Sequence, residues 1–266
     1  MSAPRTYHAE AVALSTSPFS ERDRLLTIYT RQSGKLRVLA KGARRTTSKL
    51  AAHVDLLVHS RLFLHHGRTF DQVTQGTTVE TFPQLRQDLW RSALAVYCAE
   101  LMERFTEEGQ TNPGLFDALL VALRRLDDPA LDTAVSVRAF ELDLLGLSGY
   151  RPQLHRCVGC QAIIEPVTNS FSAAEGGVLC PACAAQHPGA LPIGVDALKL
   201  LRNLQTRQEA IVGHARVAPA TVEAAEHILI GYIQYLLDRR IRSVGFLDVV
   251  RRMHPAQTQE RGGARE

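Results

Sequence analysis

Apolar and polar positions alternate along the first third of the chain with the period of two that marks half-buried strands. Tyr7 to Ser15 carries Val12 and Leu14 on one side; Asp23 to Thr30 follows a Ser17-Pro18 turn. After the tight turn Gln32-Ser33-Gly34, residues Lys35 to Lys41 place Leu36, Val38 and Ala40 on one face. Val54 to His65 reads as a long fourth strand bounded by His66-Gly67, and Phe70 to Val79, rich in Thr and Val, as a fifth. Five short strands with a longer loop after the third predict a closed or partly open barrel of OB type, with an SH3-like barrel as the alternative.

Beyond Thr81-Phe82-Pro83 the period changes to that of helices. Leu85, Leu89, Ala93 and Val96 form one stripe, with Leu94, Cys98, Leu101 and Phe105 beside it, and Gly109 closes this helix. Asn112-Pro113 opens a second, Asn as N-cap and Pro at the first helical position, carrying Phe116, Leu119, Leu120, Leu123 and Leu126. Pro129 starts a third that runs to about Leu145 and ends at Gly146 and Gly149; residues 196–206 and 220–240 are again helical. The pattern predicts an α+β multidomain chain. Residues 1–80 form the OB-type five-stranded barrel, and 81–150 and 191–254 are two parts of a single helical bundle. Residues 151–190 are inserted between those parts, and 255–266 form a polar, disordered tail.

The insertion holds the chain's sharpest chemical signal. Cys157-Val-Gly-Cys160 and Cys180-Pro-Ala-Cys183 are two Cys-x-x-Cys knuckles around a hairpin-sized spacer containing Ile163, Ile164, Val167, Phe171 and Gly176-Gly177. A two-residue spacing lets both sulfurs of a knuckle reach one ion, and four thiolates close a tetrahedral shell. The spacing therefore predicts a zinc ribbon holding one structural Zn2+ on Cys157, Cys160, Cys180 and Cys183. A redox pair needs no second copy, a catalytic zinc needs an open position, and an iron–sulfur cluster is the remaining alternative. Cys98, the fifth cysteine, lies on an apolar helix face and reads as core; His155 and His187 read as surface.

Charge adds a second candidate site. The formal net charge is only +4, but residues 1–80 hold 12 Lys/Arg against 6 Asp/Glu, leaving 19 against 21 in the remainder. Within that basic third, Lys35, Arg37 and Lys41 share the polar face of the third strand, and Arg44, Arg45 and Lys49 follow in a loop without apolar periodicity. A cationic strand face running into a cationic loop suits a polyanion, since each fixed cation neutralises a phosphate and releases a counterion. Lysines guarding an edge strand would give a similar pattern, and the adjoining loop favours the first reading. Arg22 and Arg24 either extend the candidate surface or pair with the interleaved carboxylates of Glu21 and Asp23. Arg239, Arg240 and Arg242 read as a solvated helix end. The basic strand carries no aromatic residue; Tyr29 and Phe63 on neighbouring strands serve as stacking candidates or as core. Phosphate contacts are therefore expected to dominate.

Other function classes lose ground. There is no P-loop and no Gly-x-Ser-x-Gly, and Asp55, Asp71 and Glu80 are scattered, so a binding protein without a chemical step is expected. Apolar runs such as Ile228-Leu229-Ile230 are too short to span a bilayer, and residues 1–10 lack a signal-peptide core, which places the chain in the cytoplasm.

Taken in order, Ser20-Glu-Arg-Asp-Arg-Leu-Leu-Thr27, Ser33-Gly-Lys35, Ala40-Lys-Gly-Ala-Arg-Arg45, Phe140-Glu-Leu-Asp-Leu-Leu145 with Gly149-Tyr150, and the two cysteine knuckles with Ser172-Ala-Ala-Glu-Gly-Gly-Val-Leu before the second resemble the bacterial recombination mediator family RecO. The resemblance covers nearly the whole chain. It implies an OB barrel, a helical domain and a zinc ribbon, in a nucleoid-associated DNA repair protein. Such a protein binds ssDNA and dsDNA, anneals complementary strands, and with RecR helps load RecA onto strands covered by single-strand-binding protein. Some relatives lack the cysteines; this chain keeps all four. From the residues alone, a basic OB-fold adaptor for an acidic protein and an RNA-binding factor remain as alternatives.

Overall fold

A computed structural model describes residues 5–206, 208–214 and 216–253; the expected tail, 255–266, lies outside the described residues. Alternation does build a barrel. Strands β1 (Thr6–Pro18), β2 (Arg24–Thr30), β3 (Gly34–Ala40), β4 (His59–His65) and β5 (Asp71–Glu80) close in the order β1-β2-β3-β5-β4. This is the OB-like arrangement the pattern predicts. β3 and β5 run parallel, with Val38 opposite Asp71, and the other pairs are antiparallel. Ala9, Ala11 and Ala13 line the inside of β1 and leave room for Leu26, Ile28, Leu62 and Leu64 from the neighbouring strands. Val12 and Leu14, of opposite parity, are buried on the outer side, where β1 packs on a helix.

The long fourth strand expected over Val54 to His65 is corrected. Ala51–Val54 is a 3-10 turn, and the strand starts only at His59. Leu57 takes a left-handed backbone, φ 59°, which ends any extended run. Leu50 and Val54 then turn under the barrel and pack into its core.

Past the barrel come α1 (Pro83–Gln87), α2 (Leu89–Phe105) and α3 (Pro113–Asp127). The sequence predicts one helix where α1 and α2 stand. Asp88 breaks it with extended dihedrals, φ −114° and ψ 119°, and its carboxylate caps α2 by accepting from Arg91 N–H at 3.1 Å. α2 ends at Phe105, earlier than the expected stop at Gly109, because Thr106 is already extended. α3 starts as its sequence indicates, with Asn112 Oδ1 accepting from Leu115 N–H at 3.3 Å.

These helices belong with the barrel in a compact unit that ends at Asp127. The second unit begins at Asp128, so the stretches expected to share one bundle fall in two units. In the second, α4 (Thr133–Leu147), capped by Asp132, packs against α6 (Val195–Thr206), α7 (Gln208–His214) and α8 (Pro219–Leu237), and α9 (Arg242–Met253) follows. Between α4 and α6 lies a small sheet of β6 (Asn169–Ser172), β7 (Gly177–Leu179) and β8 (Leu191–Ile193), in the order β7-β6-β8, with the single turn α5 (Pro181–Ala184). It is fastened to its own unit. The Arg202 guanidinium on α6 donates to the Leu154 carbonyl, and Phe171 meets the Tyr232 ring of α8 edge-on at 5.4 Å. No described helix is long and apolar enough to cross a membrane.

Candidate nucleic-acid interface and metal centre

The cationic stretch divides into two parts with different partners. Gly34 takes φ +65°, and a Cβ there would lie 1.9 Å from the Gln110 carbonyl oxygen, so the chain after α2 passes against bare backbone. This brings the next residue, Lys35, to the end of α2. Its Nζ donates to the carbonyls of Glu103, at 2.6 Å, and Thr106, filling acceptors that a helix C-terminus leaves open. Burial outweighs the pull of Glu103, Glu108 and Glu107 and holds this ammonium below its ordinary pKa. Lys35 is thus a latch between barrel and helix, and the expectation that it shares a phosphate surface with Arg37 and Lys41 gives way to this role. Lys35→Met should cost about 1–3 kcal/mol in urea unfolding, since two helix-end carbonyls lose their donor. The same change should leave the salt dependence of strand binding untouched.

The loop after β3, which carries Lys41, Arg44 and Arg45, is held against the β1–β2 turn. Asp23 is the organiser there. Its carboxylate accepts the Gly42 N–H at 2.8 Å, and its carbonyl accepts the Phe19 N–H at 3.1 Å, closing the β1–β2 turn. The Gly42 hydrogen bond, then Ser20 and the nearby charges of Lys41 and Arg45, bring Asp23 below the usual carboxylate range against a smaller opposing effect of burial. Arg44 fastens the β3 loop to the same turn: its backbone N–H donates to Arg22 O at 3.0 Å and its guanidinium to Ser20 O at 2.6 Å. Lys41, Arg45 and Lys49 are exposed, and among the described residues their side chains have no hydrogen bond or ion pair. Arg24 lies 3.6 Å from Asp55, which offsets part of its charge.

Arg37 is exposed on β3, and its guanidinium lies 5.0 Å from the centre of the Phe70 ring. Phe70 belongs to the β4–β5 loop and meets Phe19, from the β1–β2 turn, edge-on at 6.0 Å. Neither ring stands out in the sequence: Phe19 lies in a turn, and Phe70, expected to open the fifth strand, lies just before β5, which starts at Asp71. The two aromatics weighed instead are occupied: Tyr29 is fully buried with its hydroxyl donating to Asn112 O at 3.1 Å, and Phe63 packs on His8 at 4.6 Å.

In the second unit, one ligand sulfur from each of Cys157, Cys160, Cys180 and Cys183 lies within 4.8 Å of the others. The backbone explains the clustering. Val158 N–H donates to Val178 O and Val178 N–H to Gln153 O, which bring the knuckles together, and Gly159 sits where a Cβ would press on Cys183 at 3.1–3.2 Å. Cys157 is fully buried, and its sulfur accepts the Cys180 N–H at 3.3 Å. Burial alone would raise the Cys157 thiol, but the N–H groups of Cys160, Cys180 and Gly159 outweigh it and bring it to about 6. The neighbouring sulfurs of Cys180, Cys160 and Cys157 push the Cys183 thiol up to about 12. Four thiolates this close repel one another, and a cation among them would share their charge. The donor set is thus that of a closed, four-sulfur metal centre, able to hold a metal ion and leaving no open position. Cys98 stands apart, buried in α2.

The described residues thus combine an OB-type barrel that carries exposed cations in its loops with a helical unit that carries a four-cysteine ribbon. The family model described as recombination protein O N terminal matches residues 1–82, and that for recombination protein O C terminal matches residues 86–244. The chain is 44% identical to the DNA repair protein RecO of Roseiflexus sp. (strain RS-1) over 250 residues, 94% of this chain and 87% of the relative. It is 39% identical to that of Desulforudis audaxviator (91% and 96% covered) and 31% identical to that of Dehalococcoides mccartyi strain BAV1 (94% and 98%). The chain belongs to the recombination protein O family of DNA repair proteins.

Proposed function

We propose that the protein is a non-catalytic recombination mediator that grips the sugar–phosphate backbone of ssDNA and dsDNA with the basic end of its barrel. Arg37, Lys41, Arg44, Arg45 and Lys49 make this surface, with Arg24 at its edge and Lys35 excluded. The observation that carries the reading is the fastening of the β1–β2 turn to the β3 loop through Asp23 and Arg44, which gathers Lys41, Arg44 and Arg45 on one rim. Two strands repel each other; a cationic rim that holds both lowers that repulsion and raises their local concentration, so annealing speeds up without a bond being made or broken. The relatives named above are DNA repair proteins. By analogy with the family, this chain works with RecR to load RecA onto strands covered by single-strand-binding protein, in the cytoplasm at the nucleoid.

The metal in this reading is one Zn2+ held by Cys157, Cys160, Cys180 and Cys183. It supplies no reaction chemistry; it ties the ribbon's two knuckles together. A strand-annealing assay on pure protein tests the proposal. Complementary oligonucleotides should pair markedly faster with the wild type than alone, and K41A/R45A/K49A should lose most of that acceleration. Equal rates with and without protein would refute it.

A further inference from the structure

We infer that Phe19, backed by Phe70, is a stacking platform for an unpaired base, giving the barrel a preference for single-stranded DNA that its cations alone cannot supply. The inference rests on the phosphate-gripping reading above and adds to it a contact with the bases.

Four observations converge on this ring. Phe19 is 52% exposed, a large apolar surface left open to water on a barrel whose other described Phe and Tyr rings are covered or partly covered. It is exposed on a rigid turn: its N–H is bonded to Asp23 O, and the N–H groups of Arg22 and Asp23 both donate to Ser20 Oγ. Phe70 is equally fixed. A Cβ on Gly67 would fall 1.9 Å from the Phe70 carbonyl, and Gly67 N–H bonds the Asp71 carboxylate, which also takes the Tyr7 hydroxyl and lies 3.2 Å from His66. Finally, Phe19 joins the β1–β2 loop to the β4–β5 loop beside Arg37 and shares its turn with the anchor of Arg44, so cations border the rings.

The β1–β2 and β4–β5 loops flanking the β2–β3 face are where OB barrels take oligonucleotides. An aromatic face bordered by fixed cations fits a nucleotide's two parts, the flat apolar base and the charged phosphate. A paired base presents no free face, so the contact discriminates single from double strands while tolerating any sequence. A preformed platform also avoids the entropy of ordering a loop on binding.

The test compares a fluorescent oligothymidine with an abasic strand of equal length and with a duplex. Wild type should bind the base-bearing strand roughly tenfold more tightly than the abasic one, the loss expected for one stacked base. Phe19→Ala should erase that difference while leaving abasic-strand and duplex binding unchanged. Phe19→Trp should keep the preference, and its emission, corrected for Trp90, should be quenched by oligothymidine. Equal wild-type binding to the base-bearing and abasic strands overturns the stacking role and leaves the phosphate grip standing. A uniform loss in Phe19→Ala across all three ligands also overturns it. Failure of the wild type to bind any strand overturns both readings.

Discussion

Cys157→Ser is expected to release the metal and unravel the ribbon, the largest local loss any single exchange in this chain should produce. β6 and β7 span only four and three residues, too little to stand on backbone pairing and side-chain burial alone. Structural zinc supplies on the order of 10–16 kcal/mol of apparent binding energy in small zinc peptides, which is folding energy where the apo form is loose. Cys157 is the buried hub of the set and the sulfur that the Cys180 N–H meets, so an exchange there loses a ligand and leaves a poorer acceptor in the core. Wild type should carry one metal ion per chain and shield its ribbon thiols from a thiol reagent until a chelator is added. In Cys157→Ser the metal should be absent and amides of residues 153–180 should exchange orders of magnitude faster, with β1–β5 unchanged. A metal-free wild type with a protected ribbon would contradict the assignment.

Arg138→Met should destabilise the second unit by about 3–5 kcal/mol, the usual result of leaving one partner of a buried ion pair behind. Arg138 is 2% exposed and Glu141 not at all. The guanidinium meets both Glu141 oxygens at 2.7 Å, one as a hydrogen bond and the other as an ion pair off the hydrogen-bond direction. It also lies 3.2 Å from Glu226 on α8, which in turn pairs with Arg251 on α9 at 2.7 Å. The network therefore ties α4 to α8 and α9, and its loss takes the guanidinium away from the fully buried Glu141 carboxylate. Arg138→Met with Glu141→Leu should recover most of the loss, because the buried charge goes with its partner. Hydrogen exchange of α4 and α8 amides would measure both variants within their own unit. A double change as damaging as the single one would show that packing, not charge, sets the cost.

What the chain revealed in advance follows from the range of each interaction. The strands are legible because one-face burial repeats every second residue, as with Leu36, Val38 and Ala40, whereas on β1 the pair Val12 and Leu14 lies outside and the alanines between them face the core. The four cysteines were legible because the metal's demands are written in their local spacing. The fourth strand differs from its expected span because Val54, Leu56, Leu57 and Val58 are apolar whether the segment extends or wraps beneath a barrel, and the left-handed backbone at Leu57 distinguishes the two. The α1–α2 break hid behind the Leu85–Leu89 stripe, which runs through the Asp88 cap without interruption. Lys35 shares the parity of Arg37, yet its partners lie 68 and 71 residues away, at a helix end that local pattern cannot place. Phe19 and Phe70 went unread for the same reason: they become a pair only when the barrel closes. α9 went unread because its apolar positions follow directly on the Arg239-Arg240 turn that the pattern took for a helix end.

The measurement that bears most directly on the cationic rim is the salt dependence of single-strand binding. Among the described residues the side chains of Lys41, Arg45 and Lys49 make no hydrogen bond or ion pair, so K41A/R45A/K49A alters the rim with little disturbance; Arg44, which anchors the turn, is left in place. Plotting the logarithm of affinity against that of salt concentration, the slope should become shallower by about 2 in the triple variant, near 0.7 for each lost phosphate contact. Lys35→Met should keep the wild-type slope despite its lower stability. A triple variant with the wild-type slope, or a Lys35→Met protein whose slope falls as far, would contradict the account.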